Sequence, residues 1–138
     1  MNEFSELEKL RLKSWEGIKY FKPSEFDSPD DIDSGLEMNI ELIKILDKIR
    51  HDIGFPLKIN SGYRTESHNT KVGGKPKSAH TKGVAIDVSC LDSRQRYKLI
   101  GLIYKYDIKR FGLDDNFIHI DIDMEKDQEV CWFYPKSV

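Results

Sequence analysis

The sequence is poor in cysteine and in long apolar segments, and neither charge sign dominates it. Its 138 residues include only Cys90 and Cys131, without a C-x-x-C spacing, which argues against a thiolate zinc site or a disulfide framework. We expect both to be ordinary buried thiols. No apolar run approaches the roughly 20 residues that span a bilayer. The interleaved charges, with a formal net charge of -2, predict neither membrane insertion nor nucleic-acid binding.

The N-terminal residues lack the apolar core of a secretory signal, because acidic residues interrupt positions 1–15. We therefore expect synthesis in the cytoplasm without a signal peptide. The length predicts one domain with one hydrophobic core. Within an N-terminal extension over residues 1–19, apolar side chains among charges predict a short amphipathic helix over 3–14 that packs onto the domain. These side chains are Phe4, Leu7, Leu10 and Leu12.

Apolar periodicity predicts two longer helices. Residues 42–53 repeat apolar side chains at three- and four-residue steps before Gly54 and Pro56 stop the helix. Residues 93–106 follow Asp92 as a helix N-cap, with Gln95 three positions on. The second helix offers its apolar face to the core through Leu99, Ile100, Ile103 and Tyr104.

Shorter elements and a loop lie between and before these helices. Proline, aspartate and serine in residues 21–35 predict a loop over the surface. Residues 57–60 predict a short strand, and residues 65–72 predict a short helix that Gly73 and Gly74 close. A further short strand is predicted at 110–113.

Two predicted strands each carry one apolar face and one face of potential metal ligands. In residues 84–89 the alternation places Asp87 on the side opposite Val84, Ile86 and Val88. In residues 117–123 three isoleucines take the core side. His119, Asp121 and Asp123 take the other side.

His80, Asp87 and His119 are the candidate ligands of one metal ion. A catalytic zinc commonly takes three such protein ligands and keeps a fourth position for water. His80 precedes the Asp87 strand, and Gly83 between them allows a sharp turn. The spacing leaves a second interpretation open, because any half-exposed sheet alternates polar and apolar residues. We interpret His51 and His68 as hydrogen-bonded or surface histidines, which keeps them outside this set.

Residues 20–123 resemble the zinc D-alanyl-D-alanine carboxypeptidases and the related L-alanyl-D-glutamate endopeptidases of phage lysins. The S-x-H-x-x-G-x-A-x-D pattern of residues 78–87 is the most specific part, and residues 20–26 resemble the start of short phage-type members. The resemblance implies an α+β fold with a small, mainly antiparallel sheet flanked by helices. It also implies Zn²⁺ as cofactor. The other matching motifs are Asn60-Ser61-Gly62-Tyr63-Arg64-Thr65, His68-Asn69, Val72-Gly73-Gly74 and Phe117-Ile118-His119-Ile120-Asp121.

The resemblance assigns further roles. Arg64 matches an arginine that faces substrate, where a guanidinium grips a carboxylate or stabilises an oxyanion; the alternative is a structural arginine. Ser78 either donates a hydrogen bond to substrate or caps the local turn. Tyr63 either walls the cleft or fills the core.

The chain departs from the family pattern at the position expected for the general base. Many members place an acid three residues before the last histidine, whereas this chain has Asn116 there, and an asparagine cannot accept a proton from water. The substitutes are Asp121, which we favour because phage-type members share the H-x-D arrangement, and Asp114 or Asp115. The alternative role of Asp121 is to orient a ligand histidine.

The predicted function is that of a zinc peptidase acting on peptidoglycan stem peptides, as carboxypeptidase or endopeptidase, including the phage endolysin type. Such an enzyme reaches the wall through lysis machinery or as part of a phage particle, and we expect a monomer. One alternative is a non-catalytic zinc-binding module of the wall or virion, and another is a partner-binding domain without metal. The choice of bond depends on residues 21–35 and on the tail from Glu125, whose Trp132-Phe133-Tyr134 cluster is either core or cleft wall.

Overall fold

The computed structural model describes residues 3–136 and has an α+β architecture, as predicted. The sheet runs in the order β1-β2-β4-β3-β5, and all neighbours are antiparallel except the parallel pair of β3 and β5. Within these residues no helix has both the length and the apolar character needed to cross a bilayer. The helices are α1 (Glu6–Ser14), α2 (Ile40–Ile53), α3 (Glu66–Lys71) and α4 (Ser93–Lys105), and the strands are β1 (Ile59–Ser61), β2 (Ala85–Ser89), β3 (Arg110–Leu113), β4 (Phe117–Asp121) and β5 (Val130–Phe133).

The two long helices form within about two residues of their predicted bounds and pack against each other. Asn39 caps α2 by accepting from the backbone N–H of Glu41 at 2.9 Å, and Gly54, with φ of 79°, ends the helix. Asp92 caps α4 by accepting from the N–H of Gln95 at 2.8 Å. The predicted core role of Tyr104 is wrong: the residue follows buried Ile103 by about 100° around the helix and is 81% exposed.

The segment before α2 contributes more to the core than a surface loop would. It contains two short 3-10 helices, Pro23–Phe26 and Ser34–Glu37. Phe26 is completely buried and packs edge-on against Phe21, with ring centroids 5.7 Å apart. The prediction of a loop laid over the surface is therefore corrected, because aromatic side chains anchor the segment from beneath.

Two other predictions about burial are also corrected. Helix α1 forms where predicted, but its leucines are exposed, and the chain is anchored instead by Phe4 and the buried Trp15 on either side of it. Cys90 is buried as predicted, whereas Cys131 is exposed. The cause is the alternation of β5, which turns residues 131 and 133 away from the protein.

Candidate metal centre

The two strands predicted to carry ligands are neighbours in the sheet. In the β2–β4 register, Asp87 lies directly opposite His119. The other faces of both strands are completely buried in the core through Ile86, Val88, Ile118 and Ile120. This apolar face fixes the register, because a slip by one residue would turn every side chain to the opposite face.

The third candidate ligand, His80, lies beside Asp87 and His119. It belongs to a 3-10 helix, Ala79–Lys82, that precedes β2. The Ser78 hydroxyl caps this turn by accepting from the His80 N–H at 3.2 Å. Gly83 ends the turn with φ of 71°, and a Cβ there would collide with the Glu37 backbone. Position 83 therefore requires glycine both for its backbone conformation and for the close approach of the Glu37 backbone. This glycine allows the sharp turn between His80 and Asp87.

His80, Asp87 and His119 form one buried group whose candidate ligand atoms all lie within 4.8 Å of one another. Asp87 Oδ1 is 2.8 Å from His119 Nδ1 and 3.3 Å from His80 Nε2. The two imidazole rings meet edge to face, with centroids 5.2 Å apart. Two imidazole nitrogens and a carboxylate oxygen are the donor atoms that zinc takes in catalytic sites.

The outer nitrogens of both histidines are already engaged. His80 Nδ1 lies 2.7 Å from the Gly62 carbonyl oxygen, an acceptor, so this nitrogen carries the ring proton. His119 Nε2 lies 2.7 Å from an Asp121 oxygen, so its proton is held there. With a cation at the centre, the inner nitrogens would present lone pairs to it; without one, they lie within hydrogen-bonding distance of the Asp87 carboxylate. The residues present therefore fit a metal ion, with the outer hydrogen bonds orienting the ligand rings.

The charges of the centre favour an ionised Asp87. Burial alone would raise its pKa, but hydrogen bonds with His119 and His80 outweigh burial and hold the pKa well below its usual range. Burial opposes the charged form of His119, whereas hydrogen bonds with Asp121 and Asp87 raise its pKa above the usual value. The centre is thus built around carboxylates that keep their negative charge.

Asp121 lies beneath His119 with both oxygens in use. One oxygen faces His119 Nε2, and the other accepts from Arg110 Nε at 2.7 Å and from the Asp123 N–H at 3.1 Å. The residue is 1% exposed. Asp123, on the same predicted face, is paired with Lys82 Nζ at 3.0 Å. In this geometry both Asp121 oxygens already accept hydrogen bonds, and one of them holds the His119 ring in place.

The other predicted site residues fall into two groups. Arg64 and Ser78 line the cleft above the centre, and Arg64 Nη2 lies 3.5 Å from Asp87 Oδ2. Arg64 also donates to the Ser61 hydroxyl and to the Asn69 side chain. Tyr63 instead packs, partly buried, against the core.

The alternative bases lie elsewhere. Among the described residues that line the cleft, the carboxylates are Asp87 and Asp121. The Asp114 carboxylate accepts from the Asn116 N–H at 3.1 Å, and the Asp115 carbonyl accepts from Arg96. Asn116 is itself exposed, so the position that is acidic in many members does not face the centre.

Trp132 and Tyr134 complete the cleft, whose volume is about 620 Å³. The register joins Asp87, His119, Gly112 and Trp132 in one row across four strands. The Trp132 ring lies 5.6 Å from the His119 ring, whereas Phe133 between the two aromatics is 81% exposed. Burial raises the pKa of Tyr134 to about 12, so its phenol keeps its proton. Of the cluster predicted to be either core or cleft wall, strand alternation places Trp132 and Tyr134 in the wall and leaves Phe133 exposed.

The fold and the donor atoms together define a metallopeptidase-like centre on a mainly antiparallel sheet. A family model described as Peptidase M15 matches residues 19–121, about three quarters of the chain, and the chain belongs to that family. All three candidate ligands lie inside the matched residues. No curated protein matches the chain significantly. Membership indicates a metallopeptidase.

Proposed function

We propose that this protein is a zinc-dependent peptidase that hydrolyses the stem peptides of bacterial peptidoglycan. The observation that carries the proposal is the convergence of His80, Asp87 and His119 at one buried point of an open cleft. Membership of the Peptidase M15 family supports the reaction class. The resemblance of residues 20–26 to short phage-type members supports an endolysin role.

The chain's own residues would hold the metal and orient the substrate. A zinc ion bound here would polarise the scissile carbonyl and acidify a water molecule. Gly62 and Asp121 fix the two ligand rings through the outer nitrogens. Arg64 has five N–H donors and uses three nitrogens in the contacts described above, which leaves donors for a substrate carboxylate or carbonyl.

The charge of the cleft supports an acidic peptide as substrate. Arg64, Lys75 and Lys126 line it together with the ligands. Stem peptides carry free carboxylates on D-glutamate and on the terminal D-alanine, and opposite charges attract such ligands into a cleft. Ser78 lies on the same wall and caps the turn by accepting from the His80 N–H, while its own O–H remains free to donate to a substrate.

The test uses one muramyl pentapeptide, muramyl-L-Ala-D-Glu-L-Lys-D-Ala-D-Ala, which contains both candidate bonds. The full chain with one equivalent of zinc is incubated with it, and mass spectrometry of the products identifies the bond. Release of D-alanine indicates carboxypeptidase activity, and separation of muramyl-L-alanine indicates endopeptidase activity. His80→Ala should abolish cleavage, whereas His51→Ala, an exposed histidine outside the ligand group, should leave it intact. Equal cleavage by His80→Ala would contradict the proposal.

The second candidate function is a non-catalytic zinc-binding module of the wall. The observation that favours it is that both Asp121 oxygens are occupied and that Asn116 lies away from the centre. This candidate predicts one bound zinc per chain and binding to purified peptidoglycan. It also predicts that neither bond of the pentapeptide is cut.

A further inference from the structure

Tyr134 follows β5 and lies on the metal-facing side of the sheet. Its backbone N–H donates to the Leu113 carbonyl at 3.0 Å, which continues the parallel pairing of β5 with β3 by one residue. Because side chains alternate along a strand, Tyr134 shares the face of Trp132. Its ring packs 5.3 Å from Phe117 and 6.4 Å from His119, measured between centroids.

Three contacts place the phenol in a defined orientation beside the ligands. Phe117 and His119 hold the ring from one strand, and Trp132 approaches it at a centroid distance of 6.3 Å. Within residues 3–136 no group accepts a hydrogen bond from the Tyr134 hydroxyl, and the residue lines the cleft, so its O–H is available to a molecule bound there.

Attack on a peptide carbonyl creates negative charge on its oxygen, and a preorganised donor in a partly dry site stabilises that charge strongly. The two carboxylates of the cleft cannot serve as such donors while ionised. Contacts with Ser61, Asn69 and Asp87 hold Arg64 in place, and we assign its remaining donors to a substrate carboxylate. A neutral phenol adds a donor without adding charge and stands on the wall beside His119.

We propose that the Tyr134 hydroxyl is a catalytic group that donates a hydrogen bond to the oxygen of the attacked carbonyl. The inference rests on the proposed peptidase function and adds a residue to it. The proton stays on the phenol, and no covalent bond to Tyr134 forms. The ring packs against Phe117, and the hydroxyl alone contributes to catalysis.

The experiment compares wild type with Tyr134→Phe, which keeps the ring and removes only the hydroxyl. We expect kcat on the muramyl pentapeptide to fall about 100-fold, with KM, zinc content and melting temperature unchanged. The second measurement is calorimetric titration with a phosphinate analogue of the cleaved peptide, whose tetrahedral oxygens imitate the charged state. Its affinity should fall by a similar factor, while affinity for the cleaved product stays constant. Tyr97→Phe, at an 81% exposed position of α4, is the matched control.

The outcomes separate this inference from the function on which it rests. If Tyr134→Phe keeps the wild-type kcat and phosphinate affinity while His80→Ala loses both, the role of Tyr134 is overturned and the peptidase function stands. Loss of zinc or of thermal stability in Tyr134→Phe would also overturn it, because the hydroxyl would then be structural. A wild-type protein that cleaves neither bond overturns both proposals.

Discussion

Asp121 accepts hydrogen bonds on both carboxylate oxygens, with Arg110 on one and the His119 ring on the other. Burial opposes its charge, but the hydrogen bond and charge of His119, the Asp123 N–H and the charge of Arg110 together outweigh burial and lower the pKa of Asp121. An ionised carboxylate in this position makes the His119 ring a better ligand and fixes its orientation. Of the two roles considered for Asp121, we therefore favour positioning of the ligand over proton transfer.

Asp121→Asn tests this role. Removing the charge should weaken zinc affinity by about 10- to 100-fold, and saturating zinc should restore most of kcat because the reacting groups are unchanged. Competition with a chromogenic chelator measures the affinity, and kcat is then measured at saturating zinc. Asp114→Asn, in the turn outside the cleft, is the control. A kcat loss that persists at saturating zinc with normal affinity would instead identify Asp121 as the base.

At the scale of single residues, the sequence predicted the candidate ligands and considered Asp121 as a partner of a ligand histidine, but it did not predict the contacts of Gly62 and Arg110. His80, Asp87 and His119 stand in a recognisable pattern, and the structure brings them together. The Gly62 carbonyl and the Arg110 guanidinium reach the centre from distant positions in the chain. Nothing in local spacing reports such contacts, because they depend on strand order and register.

At the scale of elements, Gly112 in β3 determines how closely the aromatic wall approaches the ligands. It lies between His119 and Trp132 in the row across the sheet. A Cβ built on Gly112 would collide with Trp132 Nε1 and lie 2.8 Å from Tyr134 Cε2. Because Gly112 has no side chain, the Trp132 and Tyr134 rings can pack directly against the sheet at this position.

Gly112→Ala should displace both rings while leaving the ligand strands paired. We expect kcat on the pentapeptide to fall at least tenfold and the free energy of unfolding to fall by about 1–3 kcal/mol, the usual cost of overpacking. Zinc content should remain one per chain. Near-ultraviolet circular dichroism reports the moved Trp132, and Gly101→Ala, where a Cβ meets nothing within 4 Å, is the control. Wild-type kcat in Gly112→Ala would contradict this account of the wall.

The strength of the local signal determined which elements were predicted. Helices α2 and α4 and strands β2 and β4 have clear apolar periods and appear within about two residues of their predicted bounds. Strand β5 was not predicted, because its four residues include two exposed side chains and it pairs in parallel with a distant strand. The sequence predicted a loop where the 3-10 helices near Phe26 and Leu36 form, since proline and aspartate are frequent in this segment.

At the scale of the whole molecule, a metal ion would connect separate parts of the chain. His80 precedes β2, whereas His119 lies in β4, and the long helix α4 and strand β3 lie between them in the sequence. A metal ion that binds only the folded chain raises its stability, by about 4 kcal/mol when free zinc is 1,000-fold above its dissociation constant. The metal should therefore act as a cross-link of the fold.

Zinc should raise the melting temperature of the metal-free protein by roughly 10 °C. This value combines a stabilisation of about 4 kcal/mol with the shift of a few degrees per kcal/mol that is usual for a chain of this size. Differential scanning calorimetry with and without zinc measures the shift, and excess chelator should reverse it. Magnesium, which prefers oxygen ligands, should have little effect, and His80→Ala should not respond to zinc. An equal zinc response in His80→Ala would place the binding site elsewhere.

The three ligands and the aromatic wall come from different stretches of the chain. His80, Asp87 and His119 lie within the residues that the family model matches, whereas Trp132 and Tyr134 lie beyond them. Mutations that accumulate in the later stretch change the shape of the cleft without altering a ligand. If the proposed function holds, a lineage could therefore diverge in the peptide it cleaves through this short C-terminal stretch while its candidate metal ligands stay unchanged.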